Sequence, residues 1–91
     1  MVNNHACHFR QNFDISLLAF AKRCTEKLEH LGDEAAKAQE HDDAIAWYSA
    51  ALSLNFPAPH LFIKRSKVYV ARGLWDDALN DVNRVRAFLP A

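Results

Sequence analysis

Glycine occurs only twice in the 91 residues, as Gly32 and Gly73, and proline three times. So few glycines leave no glycine-rich loop to cradle a phosphate. No nucleophile elbow and no HExxH helix is present either, so the sequence points away from an enzyme. Cysteine is equally scarce, with Cys7 and Cys24 alone. A small secreted domain would usually carry more, at framework spacing. No apolar run approaches the roughly 20 residues of a membrane span. The start, MVNNHACHFRQN, lacks the apolar stretch of a signal peptide. Free thiols and a cytoplasmic location are therefore expected. Net charge is also missing, because eleven basic side chains balance eleven acidic ones. Non-specific nucleic-acid and membrane-surface binders are usually basic, so neither partner class is expected.

What is present is helical patterning. About half the residues are hydrophobic and a quarter charged, which suits one soluble domain. Residues 1–12 have no periodicity and read as a flexible leader. Leu17, Ala21, Cys24, Leu28, Leu31, Ala35 and Ala38 then recur every three or four positions, the mark of one helix face. The spacing predicts a helix over residues 14–39, about 39 Å long at about 1.5 Å per residue, with Asp14 or Ser16 suited to its start. Asp42 or Asp43 suits the next N-terminus, and that helix runs to about Leu54. Pro59 opens a third helix that Gly73 ends. Asp76 and Asp77 open a fourth that stops before Pro90. No strand alternation appears. Four helices with short turns predict an all-α antiparallel stack.

The pattern also repeats. DDAIAWYSAALSL starts at Asp42 and DDALNDVNRVRAF at Asp76, each behind another amphipathic stretch. Two helical patterns recurring at one fixed period, here about 34 residues, are the signature of a helical repeat array. The chain resembles tetratricopeptide repeats at Leu28, Leu31, Gly32 and Ala35, and again at Phe62, Arg65, Ser66 and Tyr69. On the second helix of each unit the matching residues are Ala44, Tyr48, Ala51 and Pro57, then Ala78, Val82, Val85 and Pro90. The resemblance implies a tetratricopeptide domain over residues 13–91, with one unit at about 25–57 and another at about 59–91. Residues 14–25 become an N-terminal helical extension. Small residues at Gly32, Ser66, Ala44 and Ala78 are expected where helices cross, with Tyr48 and Tyr69 filling the wedges between them.

The same resemblance implies a scaffold or adaptor that binds another protein and has no chemistry or cofactor of its own. In the family, the first helix of each unit lines a concave peptide groove. The matching candidates are Glu26, Glu29, His30, Asp33 and Lys37 on one wall, and His60, Ile63, Lys64 and Lys67 on the other. One wall is mostly acidic and the other basic. They either neutralise each other as exposed pairs, contributing ~0–1 kcal/mol each, or receive a peptide of mixed charge. Up to Phe56 five basic and eight acidic side chains give net −3; from Pro57 six basic and three acidic give +3. LFIKRSKVY and DDALNDVNRV look most like units of co-chaperones that clamp acidic chaperone tails. Glu29 and Asp33 stand where that clamp needs cation and amide donors, and would repel a carboxylate.

A homodimer is the second expectation. Repeat arrays need polar caps, yet Leu17, Leu18, Phe20 and Ala21 on the extension are apolar, as are Leu79, Val82, Val85, Phe88 and Leu89 at the far end. His5, Cys7 and His8 are ligand types for zinc or copper, but no fourth ligand stands at a definite spacing, so no metal site is assigned.

Overall fold

In the computed structural model the backbone is described for residues 2–88 and side chains for residues 16–88. Four α-helices make up the described chain: α1 (Val2–Lys37), α2 (His41–Leu52), α3 (Pro59–Arg72) and α4 (Trp75–Arg86). Among the described residues there is no strand. Each helix packs on the next in sequence, and the short links between them force the chain to reverse each time.

α1 begins far earlier than the periodicity predicts. The expected leader, residues 1–12, is helical from Val2, and neither Asp14 nor Ser16 starts the helix. Nothing in the sequence before Gly32 breaks a helix, since that stretch has no proline or glycine. With 36 residues, α1 is about 54 Å long at about 1.5 Å per residue. That accounts for most of the molecule's 59 Å long dimension. Residues 16–20 are exposed on every side, so α1 extends well past the end of α2.

Two helix ends share one design. At the end of α3 the amide of Leu74 bonds the Tyr69 carbonyl at 2.8 Å and the amide of Gly73 bonds Val70 at 3.0 Å, with Gly73 left-handed at φ 82°. This is the double-bonded C-terminal motif that glycine favours. At the end of α1 the amides of Glu40 and Gln39 bond Ala35 and Ala36 at 2.9 and 3.1 Å. Gln39 takes the left-handed position there, at φ 61°. The two motifs lie one repeat period apart. The starts of α2 and α4 fall within one residue of expectation. α2 and α4 begin at His41 and Trp75, and no side chain caps either. Asp42, Asp43, Asp76 and Asp77 occupy the first turns instead, where they complement the helix dipole.

The core is one cluster of Ala35, Ala44, Tyr48, Ala51, Ala58, Leu61 and Val68, with Leu28, Ala36, Ile45 and Leu52 packed against it. Small residues bring the helices close, as expected. A methyl group added at Gly32 would sit 2.5 Å from the Tyr48 ring, so only glycine admits that tyrosine. Ala44 and Ala51 are fully buried, and Ser66 and Ala78 nearly so. The second pair of helices is less complete. Tyr69 is half-buried, and Val82, the counterpart of Tyr48 one period later, is exposed.

Candidate functional site

The groove candidates fall on α1 and α3, and an ion network joins the two helices. Lys64 Nζ donates to Glu29 Oε2 at 2.6 Å and to Asp33 Oδ2 at 3.0 Å. The Tyr48 hydroxyl, from α2, donates to Asp33 Oδ1 at 2.6 Å. His60 Nε2 lies 3.1 Å from Glu29 Oε1. The expected pairing of acidic and basic walls is therefore present, through Lys64 with His60 beside it; Lys67 is exposed and outside the network. The expectation of fully exposed pairs needs correction, because Glu29, Asp33 and Lys64 are each half-buried. They sit where α1 and α3 flank Tyr48, which removes part of their solvent.

Protonation follows from that geometry. Burial would raise the Glu29 carboxyl, but hydrogen bonds from Lys64 and His60 overcome it and hold the group below its ordinary value. Burial opposes ionisation of Asp33 too, and its bonds from Tyr48 and Lys64 prevail, again lowering it. The Tyr48 phenol is pushed up, first by burial and then by its bond to Asp33. Burial disfavours the Lys64 cation, yet its two carboxylates win and raise it. Lys64 is thus held protonated and Tyr48 neutral, so neither is poised as a base or nucleophile.

What remains open to a ligand is different from what the sequence suggests. Glu26, His30 and Lys37 on α1 are exposed, and Lys37 sits 3.7 Å from Glu34. On α3, His60, Ile63, Lys67 and Val70 form an exposed line. With Glu29 and Asp33 already engaged, the surface free for contact is mainly polar and charged, with Ile63 and Val70 as its apolar residues.

A second network was not read from the sequence. Arg65 Nε and Nη2 donate to Asp81 at 2.8 and 2.6 Å, and Nη1 donates to Ser49 Oγ at 2.9 Å. The Asp81 side chain is only 2% exposed. One guanidinium thereby ties α3 to both α2 and α4, and it lies over the Phe62 and Tyr69 rings, about 5.5 Å from each. The bond to Asp81 raises the Arg65 ionisation against the cost of burial. Arg65 and Asp81 each interrupt the inward line of their helix, which marks two polar groups turned inward but does not say that they meet. Outside the core, Arg72 Nε donates to Asp42 at 2.9 Å on the surface.

Of the candidate dimer residues, Leu17, Leu18, Phe20, Leu79, Val82 and Phe88 are exposed, while Ala21 and Val85 are half-buried. Phe88 leans on Phe62 at 6.4 Å. Leu89 lies outside the described residues, as do the side chains of His5, Cys7 and His8. Trp75, at the start of α4, is 66% exposed. Among the described residues no group of three or more His, Cys, Asp or Glu is placed to hold a metal, and no helix is long and apolar enough to cross a membrane. Comparison with protein-family models, with curated proteins and with solved structures finds no match for this chain.

Proposed function

We propose that the chain is a tetratricopeptide-type interaction module, a scaffold or adaptor that binds another protein and catalyses nothing. One observation carries the reading: residues one period apart do the same job in two helix pairs. Gly32 and Ser66, and likewise Ala44 and Ala78, are buried, and Gln39 and Gly73 end the first helices alike. The ligand surface in this reading is the α3 line of His60, Ile63, Lys67 and Val70 with exposed Glu26, His30 and Lys37 opposite. The scarcity of cysteine supports a cytoplasmic location. Chaperone-tail binding is disfavoured, since Glu29 and Asp33 set carboxylates where the clamp needs donors, and they take up the neighbouring Lys64 cation.

The test is site-directed photo-crosslinking in native cell extract, with the probe at Ile63 or Lys67 and, as control, at exposed Trp47 of α2. Adducts with a different protein from the α3 positions but not from Trp47 are expected. Adducts equally from both faces, or none, would reject the groove.

A homodimer is the second reading, favoured by the exposure of Leu18 and Phe20, 59% and 65%, beyond the packed end of α1. Contiguous apolar surface of this kind marks an interaction site.

A further inference from the structure

We infer that α4 docks on the α4 of a second copy, the two helices antiparallel about a two-fold axis, an inference that rests on the homodimer reading and gives it an interface. The argument starts from how α3 sits on α2. α3 presents Leu61, Arg65, Val68 and Arg72, spaced four, three and four positions apart. Leu61 and Val68 enter the core with Ala44, Tyr48 and Ala51 of α2. Arg65 bonds Ser49, and Arg72 bonds Asp42 in the first turn of α2, so the pair runs antiparallel.

The surface that α2 offers to α3 recurs on α4. Asp76, Leu79, Val82 and Asn83 are the counterparts, one period later, of Asp42, Ile45, Tyr48 and Ser49. Among the described residues no helix covers them, and Leu79 and Val82 are 59% and 46% exposed. The helix that fits there must carry an apolar centre and a cation at its far end. α4 itself qualifies. Its open line is Trp75, Leu79, Val82 and Arg86, again spaced four, three and four and again ending in arginine. That spacing is the seam of a two-helix coiled contact. Rotated by the two-fold, Leu79 meets Val82 of the second copy, and Trp75 lies against the Arg86 stem and guanidinium. Arg86 reaches Asp76 of the second copy, as Arg72 reaches Asp42 within the chain. The acid and the base at opposite ends of one helix thus make the surface complementary to itself.

Continuing the stack head to tail is less favourable. The residues one period before the α3 line are Lys27, Leu31 and Glu34 of α1 and Ala38 just past its end. That arrangement would set Lys27 and Glu34 where Leu61 and Val68 belong, against apolar Leu79 and Val82. A pair of 12-residue helices buries less than the ~1,200 Å² of a stable interface, so the dimer is weak and concentration-dependent.

The experiment is sedimentation equilibrium on the full chain over a concentration series at low salt. The parent should self-associate. Asp76→Arg and Arg86→Asp, each alone, set like charges together twice in the dimer and should weaken association about tenfold or more. An equimolar mixture of the two variants should regain the parent's association, because each copy then supplies the charge the other lacks. Single variants that associate like the parent, or a mixture that stays monomeric, would overturn the proposal. Leu17→Asp with Phe20→Asp separates the two ideas. If that double variant alone abolishes association, the homodimer forms through α1 and the α4 interface is wrong. A parent that remains monomeric throughout removes both and leaves the adaptor reading standing.

Discussion

Gln39 is the residue whose identity and conformation disagree. It holds φ 61°, where Gly73 performs the same turn without a side chain. A left-handed non-glycine costs roughly 1–2 kcal/mol, while glycine loses some of that through its freer unfolded chain. Gln39→Gly should therefore stabilise the fold by about 0.5–1 kcal/mol in chemical denaturation, and an unchanged midpoint would show the turn unstrained. Asp81 makes the opposite point. Its carboxylate is nearly sealed from solvent and is answered by Arg65. Asp81→Ala leaves a mostly buried guanidinium without its counter-charge and should cost ~3–5 kcal/mol. Replacing both residues by leucine should recover most of that loss, which a double-mutant cycle would read directly. Neither effect was legible as a motif. Residue types recurring at the repeat period located the turns and the small crossings, but partnership between Arg65 and Asp81 depends on which faces of α3 and α4 meet.

The helices themselves were largely written in local patterns. Pro59 and Gly73 bound α3 at the residues the sequence indicates, because both act through backbone geometry alone. The start of α1 was illegible, since polar residues such as Asn, His and Gln neither forbid a helix nor produce periodicity. Packing between helices supports two expectations. Ala44 has no exposed surface and Ala78 very little. Ala44→Leu should cost about 1–3 kcal/mol through overpacking, and Ala78→Leu less, because α4 has solvent behind it and can shift outward. Exposed Ala46→Leu is the control, expected within about 0.5 kcal/mol of the parent by thermal melting. The α1–α3 contact carries a pH dependence. Glu29 and Asp33 lie below their ordinary values of 4.5 and 3.8, so their contribution is complete above about pH 4.5 and is lost as pH falls through the lowered values. Lys64, raised above 10.5, keeps its share until strongly alkaline pH. Melting temperature should drop on acidification, and Lys64→Met should flatten that acid limb. An unaltered limb in the variant would mean other carboxylates dominate.

At the scale of the whole chain, the buried apolar residues are unevenly shared. Six of the seven core-cluster members lie in the stretch from Ala44 to Val68 and the other is Ala35, while α4 contributes none. α4 is attached by buried Ala78 and half-buried Val85, by the Arg65–Asp81 ion pair and by Arg84 over the Phe62 ring, with Phe88 just beyond the helix leaning on the same ring. Stability in stacked helices is close to a sum of nearest-neighbour terms, so a terminal helix with a thin apolar contact opens without the rest. The molecule should accordingly come apart in order rather than all at once. Amide hydrogens in α4 should exchange by a local opening, ahead of those in α2 and the α1 residues around Gly32, which wait for global unfolding. Equal protection across all four helices would show a single cooperative unit. In ordered opening, the helix that offers the proposed pairing surface is also the first to leave it, so a second copy seated on α4 would slow hydrogen exchange there most, and lend the chain a rigidity at that end that its own residues do not supply.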